Sequence, residues 1–143
     1  MKKLKAIDLK ILLLFSLLFI LPAKTFNLQI EITGIPTDKG NMYVAIYRSK
    51  DDFPVYGKQF KGKVVDANAP KTIVEFENLP EDDYAIAIYH DENKNNKLDK
   101  NMLGVPTECY GFSNNARRTF SAPSFSEAKF ELKSDKKIKI TVK

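Results

Sequence analysis

The sequence has few of the residues that build catalytic and metal centres. Its 143 residues include one cysteine, one histidine and no tryptophan. One cysteine cannot close a disulfide within the chain, which excludes a disulfide-stapled scaffold. A zinc site takes about three or four nitrogen and sulfur ligands, and His90 with Cys109 falls short of that number. The sequence also has no glycine-rich phosphate loop and no G-x-S-x-G elbow, the motifs of P-loop NTPases and α/β-hydrolases.

Helical periodicity is also missing after residue 25. No segment there repeats apolar residues at the spacing of about 3.6 that an amphipathic helix shows. The lack of helices argues against a parallel sheet, whose strands need long crossover connections. The apolar residues alternate with polar ones instead, which is the pattern of half-buried strands. Clear examples near the two ends of this region are Leu28, Ile30 and Ile32, and Ile138, Ile140 and Val142.

The alternation predicts about seven short strands and an all-β fold. We expect an antiparallel β-sandwich, immunoglobulin-like or transthyretin-like, formed by residues 26–143 as one domain. Within the strand at residues 42–48, the pattern leaves two sets of residues open for the inward face: Met42, Val44 and Ile46, or Tyr43, Ala45 and Tyr47. Residues 104–128 are predicted to be irregular, and two further strands are predicted at 127–134 and 136–143.

The first 25 residues differ in composition from the rest, and we expect them to form a helical export signal that precedes this fold. An uncharged apolar run from Ile11 to Leu21 follows a basic start, which is typical of a secretory signal peptide. The run is shorter than the roughly 20 residues that span a bilayer. We therefore expect an exported protein, periplasmic or secreted, that touches the membrane only if this segment stays uncleaved. No cysteine stands directly after the run, which excludes a lipoprotein anchor.

The net charge of +5 comes mainly from that segment. It holds five of the 23 basic residues and one of the 18 acidic ones, which leaves 18 against 17 in residues 26–143. A nucleic-acid partner would need a basic face on the folded domain. The nearly balanced charge of residues 26–143 therefore argues against nucleic-acid binding.

The stretch from His90 to Asn101, HDENKNNKLDKN, has the ligand spacing of a calcium loop. Calcium takes about 6–8 oxygen ligands, often from alternate residues of one loop. Four side chains and one backbone carbonyl, that of Lys97, have the required spacing: Asp91, Asn93, Asn95, Lys97 and Asp99. Glu108 is one candidate to complete the shell, and an affinity suited to millimolar extracellular calcium is expected.

The same stretch also suits a polar hairpin turn. The glycine and the closing glutamate of an EF-hand are replaced by Asn96 and Met102, and three lysines oppose a cation. Asn and Asp side chains satisfy the backbone of turns without any metal. The sequence leaves both interpretations open, with Asn96 able to adopt the left-handed backbone that a tight loop needs.

Two further groups of residues are candidates for function. The segment YGFSNNARRTF predicts a recognition surface for a glycan or peptide, formed by Tyr110, Phe112, Asn114, Asn115 and Arg117. Its alternative role is to cap the end of the sandwich, because large aromatic residues are normally buried. Cys109 and His90 form the only pair that suggests a nucleophile and a base, and the sequence shows no oxyanion site beside them.

Three segments carry a resemblance to a known family: TIVEFENLPEDDYAIAIYHDENKNNKLD, LGVPTECYGFSNNA and APSFSEAKFEL. Together they resemble a family of exported bacterial proteins classed as domain of unknown function 2141. The resemblance implies a small exported β-sandwich without an established activity. Asp82 and Cys109 stand where the family pattern has glycine. The segment FENLPEDDYAIAIYHD is also similar to transthyretin-like and carboxypeptidase-regulatory-like sandwiches, which supports the fold and assigns no function.

These observations favour an exported, non-catalytic protein that acts as a binding or interaction module. Its partner would be an envelope or extracellular molecule such as a glycan or peptide, and calcium is the metal that the 91–99 loop would take. No other cofactor is required. The alternatives are an envelope hydrolase or thiol enzyme that uses Cys109 and His90, and a purely structural accessory domain.

Overall fold

The computed structural model describes residues 23–143, so the export signal predicted for residues 1–25 lies almost entirely outside the described residues. The described chain forms eight strands and one short helix, α1. In chain order they are β1 (Thr25–Thr33), β2 (Asn41–Arg48), β3 (Lys61–Asp66), β4 (Lys71–Pro80), β5 (Asp82–Asp91), β6 (Tyr110–Phe112), α1 (Phe125–Ala128), β7 (Phe130–Leu132) and β8 (Lys136–Thr141). No helix within residues 23–143 is long and apolar enough to cross a membrane.

The strands form two sheets, which confirms the predicted all-β sandwich. The smaller sheet has the order β4–β1–β8, and the larger one has the order β3–β2–β5–β6. β7 extends the larger sheet beside β6, because both short strands pair with β5 at different points along its length. The pairing of β1 with β8 is parallel, a difference from the purely antiparallel expectation. The strands in this pair come from the two ends of the domain and need no short hairpin between them.

The core lies between the two sheets and uses the alternation seen in the sequence. On β1 the inward side chains of Leu28, Ile30 and Ile32 are fully buried. On β2 the structure decides between the two sets left open, because Met42, Val44 and Ile46 belong to this core cluster. Each such side chain stabilises the fold by about 1.5–3 kcal/mol when it leaves water. The other set on β2 points to the outer face of the larger sheet.

The turn between β4 and β5 is anchored by a tyrosine. The buried Tyr84 hydroxyl donates a hydrogen bond of 2.8 Å to the carbonyl of Pro80. Burial raises the pKa of this phenol to about 12, with the Asp82 carboxylate adding to the rise. Asp82 itself lies in β5 with ordinary backbone angles, and the left-handed residue near this turn is Asn78, with φ of 54°. Aspartate at position 82 therefore costs no backbone strain.

Residues 104–128 are more ordered than the sequence predicted. They contain β6, a 3₁₀ turn at Ser113–Asn115 and α1. A capping box begins α1, in which the Glu127 carboxylate accepts a hydrogen bond of 2.7 Å from the Ser124 backbone N–H. Hydrogen bonds from Ser124 and Arg118 lower the pKa of Glu127 to about 2. The strand predicted at 127–134 is therefore shortened to β7.

Candidate functional site

The outer faces of the two sheets differ sharply in chemistry. The outer face of the smaller sheet is charged, and Glu31 lies within ion-pair distance of Lys71 and Lys139 there. Beside them the Gln29 amide donates to Glu75 at 2.6 Å. This polar face is what an antiparallel sheet normally presents to water. The outer face of the larger sheet is aromatic and aliphatic instead, which is unusual for a sheet face in contact with water.

A row of tyrosines crosses the outer face of the larger sheet. Tyr43 on β2 lies opposite Tyr89 on β5, and Tyr89 lies opposite Tyr110 on β6. Val64 on β3 lies opposite Tyr43 and extends the row to the sheet edge. The Tyr43 and Tyr89 rings are stacked, with their centroids 4.7 Å apart and an angle of 10° between their planes. The ring of Tyr56, from the loop after β2, meets both of them edge-on.

A row of small residues runs beside the tyrosines. Ala45 lies opposite Ala87, and Gly62 lies opposite Ala45 on the other side. Phe112 ends this row on β6, opposite Ala87. Because methyl groups and glycine hydrogens project much less than tyrosine rings, the small residues form the floor of a trough. The trough crosses four strands, a distance of roughly 14 Å at the usual strand spacing of about 4.8 Å.

The trough opens into two adjoining grooves of about 600 Å³ and 520 Å³. Ala87, Tyr89, Leu98 and Lys100 line both of them. Most of the large apolar side chains that are exposed within residues 23–143 line one groove or the other. These rim residues are Val55, Tyr56, Val64, Leu103, Val105 and Phe120. Their clustering on one face is typical of an interaction site rather than of scattered surface residues.

The chain itself covers the other half of this face. Phe53 packs edge-on against Phe112, with ring centroids 5.8 Å apart, and also contacts Tyr47 and Phe125. These rings enclose Ala85 and Ala128 in a second, smaller core. The trough is therefore the part of the outer face that residues 23–143 leave open.

The 91–99 loop folds around the side chains predicted to bind calcium. The buried Asp91 carboxylate accepts the backbone N–H groups of Asn95 and Asn96, at 3.0 and 2.8 Å. The two oxygens of Asp99 accept the side-chain amides of Asn93 and Asn95, at 2.6 and 2.8 Å. Four of the predicted ligand side chains therefore come together. The side-chain amides of Asn93 and Asn95 donate to Asp99, whereas Asp91 accepts backbone N–H groups, so hydrogen bonds close the loop as in a polar turn.

The backbone of this loop also matches the prediction at Asn96. Its φ of 64° is left-handed, in the region that asparagine tolerates and where an EF-hand places glycine. At Lys97, predicted to use its carbonyl, the backbone N–H donates to the Asn95 side chain at 2.9 Å. Within residues 23–143, no three His, Cys, Asp or Glu side chains are grouped so as to hold a metal ion.

Glu108 contributes to the same loop from the segment before β6. Its carboxylate accepts the backbone N–H of Glu92 and that of Asp99, both at 2.9 Å. One buried side chain therefore joins the two ends of the loop. The Tyr43 hydroxyl donates to the Asn96 side chain, and this hydrogen bond ties the loop to the tyrosine row.

The comparison with protein families identifies the family of this chain. The model of the DUF2141 family, described as an uncharacterised protein conserved in bacteria, matches residues 30–141. The chain belongs to the DUF2141 family. This match confirms the resemblance seen in the sequence. No curated protein and no solved structure matches the chain.

The predicted recognition residues of this DUF2141 protein lie in two different settings. Tyr110 and Phe112 belong to the outer face of the larger sheet, where Tyr110 is half-buried. The Asn114 amide donates to the carbonyls of Glu127 and Lys129, and the Asn115 side chain accepts the N–H of Thr141. The Arg117 guanidinium lies over the Tyr110 ring and donates a hydrogen bond of 3.0 Å to the Tyr110 backbone carbonyl. Only the two aromatic residues line the trough or its grooves.

Cys109 and His90 of the DUF2141 protein are neighbours across the sheet. The His90 backbone N–H donates to the Cys109 carbonyl at 2.8 Å. His90 is fully buried, and its Nε2 lies 2.6 Å from the Lys39 carbonyl. Burial raises the pKa of the Cys109 thiol, and the negative charge of Glu92 adds to the rise. A nucleophilic thiol needs a lowered pKa, so this environment does not suit catalysis.

We expect Cys109 to react slowly with alkylating reagents while the protein is folded. Its raised pKa reduces the thiolate fraction at neutral pH, and the thiolate is the reactive species. Iodoacetamide labelling followed by mass spectrometry should be at least about tenfold slower in buffer than in urea. Rapid labelling of the native protein would instead support the thiol-enzyme alternative.

Proposed function

We propose that this DUF2141 protein is an exported, non-catalytic binding module whose binding site is the trough on the outer face of the larger sheet. The observation that carries the proposal is the apolar character of that face. Val64, Tyr43, Tyr89 and Tyr110 form one continuous row there. Aromatic and aliphatic side chains with a few polar groups are the usual lining of ligand sites.

The exposed rim favours a binding role over a purely structural one. A structural accessory domain needs an apolar core, which this chain already has between its sheets. The Leu103 and Phe120 side chains are 87% and 98% exposed, so they add little to the stability of the isolated domain. Exposed apolar residues around a groove gain free energy when a ligand covers them. A ligand on the trough would therefore account for residues that the fold does not need.

A neutral hydrophobic dye tests this proposal. Nile red should bind the native protein, and Ala87→Phe should weaken that binding by about tenfold because a ring would fill the trough floor. The matched control is Ile73→Phe, which adds a ring on the outer face of the smaller sheet and should bind the dye like the wild type. If Ala87→Phe binds Nile red as well as the wild type, the trough is not the binding site.

We further propose that the 91–99 loop binds calcium at millimolar concentration. The support is the convergence of Asp91, Asn93, Asn95 and Asp99 around one region of the loop. These oxygens would have to give up amide contacts to bind the ion, which keeps the affinity low. The loop is closed by hydrogen bonds without metal, so calcium would add to an existing structure.

A thermal melt tests the calcium proposal. At a concentration about ten times the dissociation constant, calcium would stabilise the fold by about 1.4 kcal/mol and raise the Tm by a few degrees. Magnesium at the same concentration should have less effect, because it prefers a smaller octahedral shell. Asp99→Asn should remove the calcium shift. An equal Tm with and without calcium would leave the loop as a polar turn.

A further inference from the structure

The lining of the trough carries positive charge in addition to its apolar floor. Lys97 and Lys100 lie among the residues that line the grooves, and Lys100 lines both. Within residues 23–143, no aspartate or glutamate lines either groove. Among residues 23–143, neither lysine has an ion-pair partner, whereas Arg118 at the second groove is paired with Glu127. Lys63 also lines the first groove, but its ammonium lies over the Phe76 ring, 5.4 Å from the ring centroid. Of the groove-lining lysines within residues 23–143, Lys97 and Lys100 therefore remain free to meet a ligand.

The 91–99 loop fixes where these lysines lie. Asp91 and Glu108 hold its backbone through four N–H groups, at 2.8 to 3.0 Å. The hydrogen bond from Tyr43 to Asn96 brings the loop against the tyrosine row. Leu98, between the two lysines in this part of the chain, lines both grooves. The loop thus places an apolar side chain and two cations at the edge of one trough.

We propose that the trough holds a single anionic amphiphile, with its hydrocarbon body on the aromatic row and its acidic head group near Lys97 and Lys100. The inference rests on the proposed function, because it names the ligand class for the same site. Charge complementarity selects this occupant: a cationic, acid-free lining attracts a carboxylate or phosphate and disfavours a cation.

The floor of the trough also favours an amphiphile over a glycan or peptide. Ala45, Ala87 and Gly62 offer no polar side chain, whereas a sugar needs hydrogen-bond partners for its hydroxyl groups. An extended peptide commonly adds to a free sheet edge, and the trough lies on a face. The exposed aliphatic residues Val55, Leu103 and Val105 at the rim suit a hydrocarbon chain.

Three ligands with the same hydrocarbon chain test the proposal: laurate, dodecanol and dodecylammonium, each below its micelle concentration. Calorimetry on the full mature protein should show laurate binding about fivefold more tightly than dodecanol at low salt, with dodecylammonium the weakest. The preference should shrink at about 0.5 M salt, where exposed charges are screened. The double variant Lys97→Gln and Lys100→Gln should bind laurate and dodecanol equally. Lys137→Gln, on the smaller sheet, is the matched control and should keep the preference.

Each other outcome would overturn the inference in a recognisable way. Equal binding of laurate and dodecanol by the wild type would leave the trough as a neutral apolar site, with the proposed function intact. Binding to anionic vesicles but not to monomeric laurate would make the face a membrane-docking surface. Self-association in sedimentation that Ala87→Phe abolishes would make a second copy of the chain the occupant. Failure of both Nile red and laurate to bind would remove the proposed function as well.

Discussion

Replacing Gly40 with alanine is expected to destabilise the fold by about 4 kcal/mol, the largest effect of any single methyl group that we anticipate here. Gly40 has a φ of 77°, a conformation that costs alanine about 1–2 kcal/mol. A Cβ atom would also overlap the carbonyl oxygen of Asp91 and lie 2.6 Å from the Cα of Glu92. Backbone atoms cannot move aside as a flexible side chain can, so the start of the 91–99 loop would have to shift.

Gly57→Ala provides a matched control for that prediction. Gly57 has a φ of 85°, and no atom of the described part of the chain lies within 4 Å of an added Cβ atom. It should therefore show only the backbone cost of about 1–2 kcal/mol. Urea denaturation measures the free energy of unfolding of both variants. If their m-values are equal, the difference between the two destabilisations is the steric cost at Gly40. Equal destabilisation of the two variants would mean that the contact between Gly40 and the loop is not tight.

The position of Gly40 shows why part of the site could not be predicted from the sequence. The 91–99 loop rests on a turn that precedes β2, far away in the chain. His90 extends that contact, because its Nε2 lies 2.6 Å from the Lys39 carbonyl. Alternation predicted the longer strands, but it carries no information about which turn supports which loop.

The trough forms because neighbouring strands pair in a particular register, and that register could not be predicted from the sequence alone. The tyrosines at 43, 89 and 110 are ordinary strand residues when each segment is considered separately. They become a row because β2, β5 and β6 align them. β2 was ambiguous for a related reason: both of its faces are covered, one by the core and one by aromatic loops. β6 has only three residues, too few for a period of two to be recognised.

The loop chemistry was predicted better because it is local. The candidate ligands Asp91, Asn93, Asn95 and Asp99 were chosen from spacing within one short segment, and all four take part in hydrogen bonds within that loop. Calcium binding by these residues stays a prediction. The capping box at Ser124 and Glu127 was equally local and could have been found as a helix start. Asn114 and Asn115 could be assigned to hydrogen bonds with distant carbonyl and N–H groups only in three dimensions.

Asp91→Ala is expected to destabilise the protein by about 3 kcal/mol even without calcium. The Asp91 side chain is fully buried and accepts two backbone N–H groups of the loop. A hydrogen bond to a charged group contributes about 1.5–3 kcal/mol, and its loss leaves buried donors without partners. Urea denaturation in EDTA measures this effect with metal removed. Amide exchange should show lost protection at Asn95 and Asn96 specifically.

Asp99→Ala is the matched control, since Asp99 belongs to the same loop and the same candidate calcium shell. Its carboxylate accepts only side-chain amides in an exposed setting, so its loss should cost less than about 1 kcal/mol. The two variants thus separate two roles of the loop carboxylates, which are to hold the loop backbone and to bind calcium. A large effect at Asp91 and a small one at Asp99 would mean that Asp91 holds the loop beside the trough whether or not calcium binds. Equal small effects in EDTA, with both growing when calcium is added, would mean that the metal orders the loop.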